Sequence, residues 1–371
     1  MDIEVRTLDA FDLDALSVYA RLRRYAPERG SYLLESRAHK SPEGRYSVVG
    51  YRVRTRDLMP PGVDAWQYQA TNIEREPAPE SFAAALALAA VGYVSPSCVN
   101  VRQKLPLFRD EGPAAQFMVG ATVVVFDHQE RTVTVAGPRQ GNLVERCLWE
   151  IENGSDALTD LPTSDGAPGE MQAMISDEAL TGRGTRAKPY FGEELTSLVM
   201  AQCYFVPLGK VDPFDIYRVL RGAPDVVHGY YVDFGAVMHG PDTRIAGIAG
   251  DTVHQRRRSE TSSRSVSDAF QTPHPSTVGE PPLIANRVLR KLETHARPIW
   301  GGGVGYLCPG GEAAFVLANE VVSAEFGQIA VNVGTCMNAD TDPATLPAAA
   351  RAAAARSLSA VHKAQQAARS S

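Results

Sequence analysis

The chain has 371 residues, of which 44% are hydrophobic and 22% are charged, and its formal net charge is -6. This composition is ordinary for a globular protein, and the negative balance argues against a surface devoted to nucleic acid or anionic membranes. The five cysteines are scattered and lack the short paired spacing of a zinc site, which favours buried free thiols. The sequence begins without a secretory pattern and contains no apolar run of about eighteen residues, so we expect a cytoplasmic protein.

The first part of the sequence predicts a helix and then a pair of strands. Residues 8–26 place apolar side chains at helical spacing, as in an amphipathic helix. The runs Ser31–Ser36 and Gly44–Gly50 are strand-like and flank a charged turn that contains proline and glycine. We therefore predict a hairpin at this place.

Further strands and one helix are predicted before residue 140. Ser81 is a typical N-cap, and the alanine-rich run that follows it predicts a helix through Ala90. Residues 122–126 and 132–136 predict two strands joined by a turn that contains His128. A histidine at such a turn is more often a surface residue than a catalytic one, and we interpret it in that way.

The segment 153–188 is polar and rich in glycine, proline and serine, which is typical of a linker. It divides the chain into an N-terminal part, 1–152, and a C-terminal part, 189–371. Within the C-terminal part, the run 253–280 lacks apolar periodicity and is interpreted as an irregular loop.

The C-terminal part opens with two predicted helices and a strand. Leucine and valine spacing predicts a helix over Tyr190–Gln202. A second helix is predicted over Asp212–Arg221, with Asp212 as its N-cap and Pro213 in its first position. Tyr230–Phe234 predicts a strand.

The final hundred residues combine a helix, a glycine run and strands. Leu283–Glu293 predicts a helix, Trp300–Tyr306 contains four glycines, and Ala314–Val322 and Gln328–Val333 predict strands. The glycine run indicates either a tight helix-to-strand turn or a close approach by another backbone or a ligand. The predicted fold class is α+β with largely antiparallel sheets.

The order of these elements resembles that of the chorismate-utilising enzymes, in particular anthranilate synthase component I. In that family a helix with a Glu-Leu-Glu-like end precedes Tyr-Gly-Gly-x-Val-Gly-Tyr, two strands, an Ala-Gly-Ala-Gly turn, Ala-Asp-Ser-x-Pro and a terminal helix. The counterparts here are Lys291–Glu293, Trp300–Tyr306, Val333–Cys336, Ala339–Pro343 and a helix from about Ala348. The resemblance implies a two-part α/β sandwich with mainly antiparallel sheets.

The resemblance also implies an activity. Anthranilate synthase component I converts chorismate and ammonia to anthranilate and pyruvate in tryptophan biosynthesis. The reaction uses Mg²⁺ held by glutamates, and a glutamine amidotransferase subunit supplies the ammonia. For this chain the implied partners are therefore chorismate and such a subunit, with no nucleic acid and no membrane.

The residues implied to bind substrate are glycines. Either Gly247 or Gly250 matches the glycine of the family's Ile-Ala-Gly-Thr element, whose backbone helps to hold chorismate. Gly334 matches a glycine of the backbone cradle in the Ala-Gly-Ala-Gly turn.

The residues implied to bind tryptophan, the feedback inhibitor of the family, are Glu35 and Ser36 in a Leu-Leu-Glu-Ser element. A hairpin whose polar groups satisfy one another is the alternative interpretation. The family's Asn-Pro-Ser-Pro-Tyr-Met element is replaced by Ala223–Gly229, which argues against retention of feedback binding.

Several positions of the family's active site are changed. The family tyrosine falls on Trp300, and the arginine that binds the substrate carboxylate falls on Glu320 or, with a shift of one residue, on Asn319. The metal-binding glutamates fall on Leu346 and Ala349. An acidic helix and a His-Leu-x-Ser element of the family are missing, so we assign no catalytic residue and no metal ligand.

The sequence therefore leaves several hypotheses open. The first is an anthranilate synthase-type lyase with impaired activity. The second is a catalytically inactive relative with a binding or regulatory role, or a chain shortened by deletion or by a gene-model error. A related enzyme that makes isochorismate or aminodeoxychorismate is the third, although it needs the same metal ligands.

Overall fold

The protein is described from a computed structural model. The described residues are 2–8, 13–25, 29–36, 45–65, 73, 79–155, 158, 160–163, 166–224, 226–235, 244–249, 252–256, 272–297 and 299–370.

Eighteen strands lie within these described ranges. They are β1 (Ile3–Leu8), β2 (Ser31–Ser36), β3 (Tyr46–Tyr51), β4 (Thr55–Met59), β5 (Ala90–Val94), β6 (Ala115–Val119), β7 (Thr122–Asp127), β8 (Thr132–Pro138), β9 (Gln172–Ala173), β10 (Ser197–Pro207), β11 (His228–Asp233), β12 (Arg244–Ala249), β13 (Thr252–Arg256), β14 (Gly279–Glu280), β15 (Gly303–Leu307), β16 (Ala313–Leu317), β17 (Glu320–Glu325) and β18 (Gln328–Met337).

The α-helices of the described residues are α1 (Ala15–Leu22), α2 (Phe82–Ala87), α3 (Ser97–Arg102), α4 (Leu143–Asn153), α5 (Asp177–Ala187), α6 (Pro213–Arg221), α7 (Pro275–Val278), α8 (Pro282–Leu292) and α9 (Leu346–Ser370). Among them, none combines the length and the apolar character needed to cross a bilayer.

The strands form two sheets. The larger sheet has the order β1-β8-β7-β3-β2-β11-β12-β17-β18-β10-β14, with β9 beside β10, and the smaller has the order β13-β16-β15-β5-β6-β4. Every pairing within the described residues is antiparallel. This architecture confirms the predicted fold class.

The two faces of the larger sheet have different neighbours because successive side chains of a strand point to opposite faces. Tyr32 and Tyr230 pack in a core that also contains Val91 and Val304 of the smaller sheet. Leu33, which follows Tyr32, packs instead with α1, α4 and α6. The molecule therefore has an inter-sheet face and a helix-covered face, and each candidate site residue can be assigned to one of them.

The segment 153–188 does not separate the sheets. β2 pairs with β11 in the larger sheet and β5 pairs with β15 in the smaller, so 1–152 and 189–371 contribute to both. The prediction of a linker is also wrong for the second half of the segment, which forms α5. Ser176 is its N-cap and accepts a hydrogen bond from the Ala179 amide at 3.2 Å.

Two other predictions of local structure are wrong. Tyr190–Gln202 was predicted as a helix, but Ser197–Pro207 forms β10, because ten consecutive residue pairs with β18 outweigh the local apolar spacing. The irregular loop predicted over 253–280 begins in β13 and ends in α7 and β14, while 257–271 lie outside the described residues.

Several local predictions are confirmed. β2 and β3 are antiparallel neighbours, as the predicted hairpin requires. Ser81 caps α2, which is shorter than predicted because Ala90 already begins β5. The Asp212 carboxylate caps α6 by accepting from the Phe214 amide at 3.0 Å. His128 lies at the end of β7, with its Nε2 atom 2.8 Å from the Ser47 hydroxyl.

Candidate functional site

The glycine run brings Trp300 onto β18. The indole is only 3% exposed, and its Nε1 donates a hydrogen bond to the Asn319 carbonyl at 2.9 Å. A Cβ atom on Gly334 would lie 2.3 Å from the Trp300 ring and 2.6 Å from the Val199 side chain. Gly334 is therefore required for close packing, and the ring fills the space directly above it.

Gly247 is also explained by packing. A Cβ atom at this position would lie 2.4 Å from the Tyr230 hydroxyl and 2.6 Å from the Glu320 carbonyl oxygen. Gly247 pairs with Val321 of β17, and Val321 pairs with Asn332 of β18, so these three residues share one face of the sheet. Gly334 lies two residues after Asn332 and therefore belongs to the same, inter-sheet face. Gly250 lies outside the described residues, and its predicted role stays a prediction.

The two residues that match the family's carboxylate-binding arginine, Glu320 and Asn319, lie in different surroundings. The Glu320 carboxylate lies on the helix-covered face, 3.4 Å from the Ser357 hydroxyl and 3.6 Å from Nε of Arg356, both on α9. Asn319 instead bonds Trp300 through its carbonyl oxygen. Of the two matching residues, Asn319 is thus the one beside the glycine run, and its neutral amide does not replace the positive charge of arginine.

The residues that match the family's metal-binding glutamates do not fit a metal. Leu346 is 1% exposed and packs with α5 and α8, whereas Ala349 is exposed on α9. Within the part of the chain that the structure describes, no group of three or more histidine, cysteine, aspartate or glutamate residues is placed to hold a metal ion. Mg²⁺ prefers several oxygen ligands in octahedral geometry, and the matching positions offer no carboxylate.

The two residues predicted to bind tryptophan point to different faces. The Glu35 side chain lies on the helix-covered face, where its carboxylate accepts from Nε and Nη2 of Arg221, each at 2.8 Å, and from the Tyr217 hydroxyl. Burial and the nearby carboxylate raise the pKa of Tyr217 well above its usual range, so its hydroxyl stays a donor. Glu35 therefore joins β2 to α6.

Ser36 lies on the inter-sheet face, beside a cavity of about 80 Å³. The cavity is lined by residues of β2, β3, β11, β15 and β16, among them Leu34, Val48, Tyr230 and Val304. The hydroxyls of Ser36 and Tyr230 are buried and have no hydrogen-bond partner among the described residues. Burial raises the pKa of Tyr230, which keeps this hydroxyl protonated. The cavity thus combines apolar walls with two unused polar groups.

Sequence reasoning missed Tyr217 and Arg221, which hold Glu35. A signal was present, since residues four apart on a helix lie on the same face and α6 was predicted correctly. The sequence alone did not indicate which strand that face contacts. Gly229 leaves room for the Tyr217 hydroxyl, because a Cβ atom at this position would lie only 2.6 Å from it.

Comparison with known proteins gives a consistent result at low identity. No family model matches the chain. It is 27% identical over 247 residues to anthranilate synthase component 1 of Thermus thermophilus, covering 60% of this chain and 51% of the relative. The Streptomyces coelicolor protein of the same name is 21% identical over 417 residues, covering 86% of this chain and 81% of the relative. The chain thus spans about half the length of the first of these relatives.

Solved structures share the fold. Anthranilate synthase component I from Streptococcus pneumoniae superposes with a TM-score of 0.68 at 17% identity, covering 85% of this chain and 93% of that one. The menaquinone-specific isochorismate synthase MenF from Escherichia coli gives a TM-score of 0.68 at 12% identity, covering 97% and 95%. The chain is thus similar, at low identity, to proteins named anthranilate synthase component 1, and it shares the fold of anthranilate synthase component I and of an isochorismate synthase.

Proposed function

We propose that this chain is a ligand-binding member of the family that does not convert chorismate and ammonia to anthranilate and pyruvate. The observation that carries the proposal is the packing of the Trp300 indole onto Gly334. A backbone cradle can hold a substrate only if the space above it is open. Here a buried side chain fills that space, and its ring nitrogen is already bonded to Asn319.

The charges around this position support the same proposal. Chorismate carries two carboxylates, which need cationic partners or a metal ion when they leave water. None of the matching positions supplies a cation, since Asn319, Leu346 and Ala349 are neutral and the Glu320 carboxylate lies on the helix-covered face. Mg²⁺ therefore stays an expectation of the family, and we derive no chemical step from it.

We predict no turnover of chorismate by the purified chain. The assay combines chorismate, excess Mg²⁺ and ammonium, and it follows anthranilate by fluorescence. Isochorismate is followed by chromatography, since two structural neighbours are isochorismate synthases. The anthranilate synthase component 1 of Thermus thermophilus is the positive control. Product formation at a rate comparable to that control would show that the proposed loss of activity is wrong.

The inter-sheet cavity beside Ser36 is the proposed binding site, and tryptophan is the ligand that the family implies. Its volume of about 80 Å³ is smaller than the roughly 150 Å³ that accommodates benzene. Tryptophan would therefore bind only if the strands or the adjoining Ala223–Gly229 segment moved. Because this segment differs from that of the family, indole and smaller aromatic compounds belong in the same titration.

We predict that Ser36→Ala weakens this binding with little effect on folding. The hydroxyl has no partner among the residues that the structure describes, so its removal leaves none of their polar groups unpaired. Loss of one hydrogen bond to a ligand is worth roughly 1 kcal/mol, or about fivefold in Kd. Isothermal titration calorimetry measures the affinity, and thermal unfolding measures the stability.

Ser97→Ala is the matched control, because its hydroxyl is equally buried and unpartnered but lies in α3, outside the cavity. Equal affinities of the Ser36 and Ser97 variants would exclude Ser36 as a ligand-binding residue. Binding of no aromatic compound to the wild-type protein would remove the proposal for this cavity.

A further inference from the structure

A second, smaller cavity lies next to β10, between α5 and the segment that follows α8. It measures about 20 Å³, and its lining includes Arg183, Gln202, Asn332 and Trp300. We call it the Arg183 cavity. None of these four residues lines the inter-sheet cavity beside Ser36, so it is a separate site.

Arg183 is buried, and no residue that the structure describes forms an ion pair with it. It is 4% exposed, and its Nε–H has no hydrogen-bond partner among the described residues. Its other guanidinium nitrogens make no hydrogen bond and no ion pair with any residue that the structure describes. Burial lowers the pKa of Arg183, and the nearby Glu293 opposes that effect only in part. A buried charge of this kind is costly unless something pairs with it.

The nearest acid is already committed to another arginine. The Glu293 carboxylate accepts from Nε of Arg297 at 2.9 and 3.1 Å and also from its Nη2. Arg297 Nη2 further donates to the Val199 carbonyl at 2.8 Å, and its Cζ lies 4.9 Å from the centre of the Trp300 ring. The Glu293 carboxylate is thus bonded to Arg297 and makes no hydrogen bond to Arg183.

Arg290 and Glu111 lie on the other side of this pair. The Nε–H of Arg290 is buried and unpartnered among the described residues, and its Nη1 lies 3.9 Å from the Glu111 carboxylate. Burial raises the pKa of Glu111, and Asp110 also lies near Arg290. None of the three acids Glu293, Glu111 and Asp110 forms an ion pair with Arg183.

We propose that the Arg183 cavity binds one small monovalent anion, a halide ion or a single carboxylate group, as the counter-ion of Arg183. A cavity needs about 10–15 Å³ to hold one particle of the size of water, so the Arg183 cavity, at about 20 Å³, holds one such particle. Asn332, whose side chain has no hydrogen-bond partner among the described residues, also lines the cavity. The buried Trp300 ring forms one wall and strengthens the electrostatic attraction by excluding water.

The test measures thermal unfolding as chloride or bromide is increased at constant ionic strength. Methanesulfonate, which is too large for the cavity, is the balancing anion. We expect the Tm of the wild-type protein to rise and then level off, because a ligand that binds only the folded state stabilises it by mass action. Formate in place of the halide distinguishes a carboxylate site from a halide site.

Arg183→Met keeps an unbranched apolar chain in place of the arginine stem and removes the guanidinium charge, so the saturable rise in Tm should be lost. Arg186→Met is the matched control: it makes the same change on the exposed side of the same helix and should keep the full rise. An equal response of the two variants, or no saturable response in the wild-type protein, would overturn the proposal.

A second measurement does not depend on any variant. Crystals of the wild-type protein grown in bromide should show an anomalous-scattering peak within hydrogen-bonding distance of Arg183 Nε. Density for a water molecule at that position, without an anomalous signal at saturating bromide, would show that a neutral solvent molecule satisfies the guanidinium.

Discussion

At Gly334, the ring of Trp300 and the side chain of Val199 lie where a Cβ atom would have to be. The sequence suggested a different reason for this glycine, namely a backbone cradle for a substrate. Both explanations require a residue without a side chain, and a sequence cannot distinguish between them. The distance to the indole does, because a space filled by a ring that is 3% exposed is not available to a ligand.

We predict that Gly334→Ala destabilises the protein. The added methyl group would lie 2.3 Å from the ring, and overpacking of this kind costs about 1–3 kcal/mol. Gly192→Ala is the control, since a Cβ atom there meets nothing within 4 Å. Chemical denaturation measures both variants.

The same explanation requires that a smaller side chain at position 300 relieve the clash. Trp300→Leu in the Gly334→Ala background should therefore cost less than the sum of the two single changes. Additive costs, or a Gly334→Ala variant as stable as the Gly192→Ala control, would show that the ring does not pack on this glycine.

At the scale of the elements, β2 shows how one strand serves both faces of the larger sheet. Ser36 reaches the inter-sheet cavity, while Glu35, its neighbour, pairs with Arg221 of α6 on the opposite face. The Leu-Leu-Glu-Ser element suggested one joint role for these two residues. Both residues line the cavity, but strand alternation separates their side chains, so the Glu35 carboxylate bonds Arg221 and the Ser36 hydroxyl lies on the inter-sheet face.

We predict that Arg221→Met destabilises the protein by about 3 kcal/mol, since it leaves the buried Glu35 carboxylate without its counter-ion. This is the lower end of the range for buried pairs, because the Arg221 side chain is 23% exposed. Chemical denaturation checks the value.

Replacing both members of the pair, as in Arg221→Met with Glu35→Leu, should restore much of the loss, because no charge is then left unpaired. If the single variant were as stable as the wild-type protein, the pair would not hold α6 against β2.

At the scale of the whole molecule, the correct predictions concern features that are determined by residues close together in the sequence. The Ser81 and Asp212 caps and the hairpin of β2 and β3 belong to this class, and the order of motifs predicted the similarity to anthranilate synthase component I. β10 was predicted as a helix because its partner, β18, lies far away in the sequence. For the same reason, the sequence showed that Trp300 replaces a tyrosine but not which backbone its ring covers, and it gave no sign that Arg183 is buried without a partner.

The pairing of β5 with β15 and of β10 with β18 also affects how the protein folds during translation. β5 can pair early with β6, but its other neighbour, β15, lies much further along the sequence, and long-range pairing of this kind makes folding slow. Until β15 has been translated, the nascent chain exposes strands whose amide and carbonyl groups are open to pairing with other chains. Productive folding in the cell therefore depends on shielding these early strands until the last hundred residues emerge.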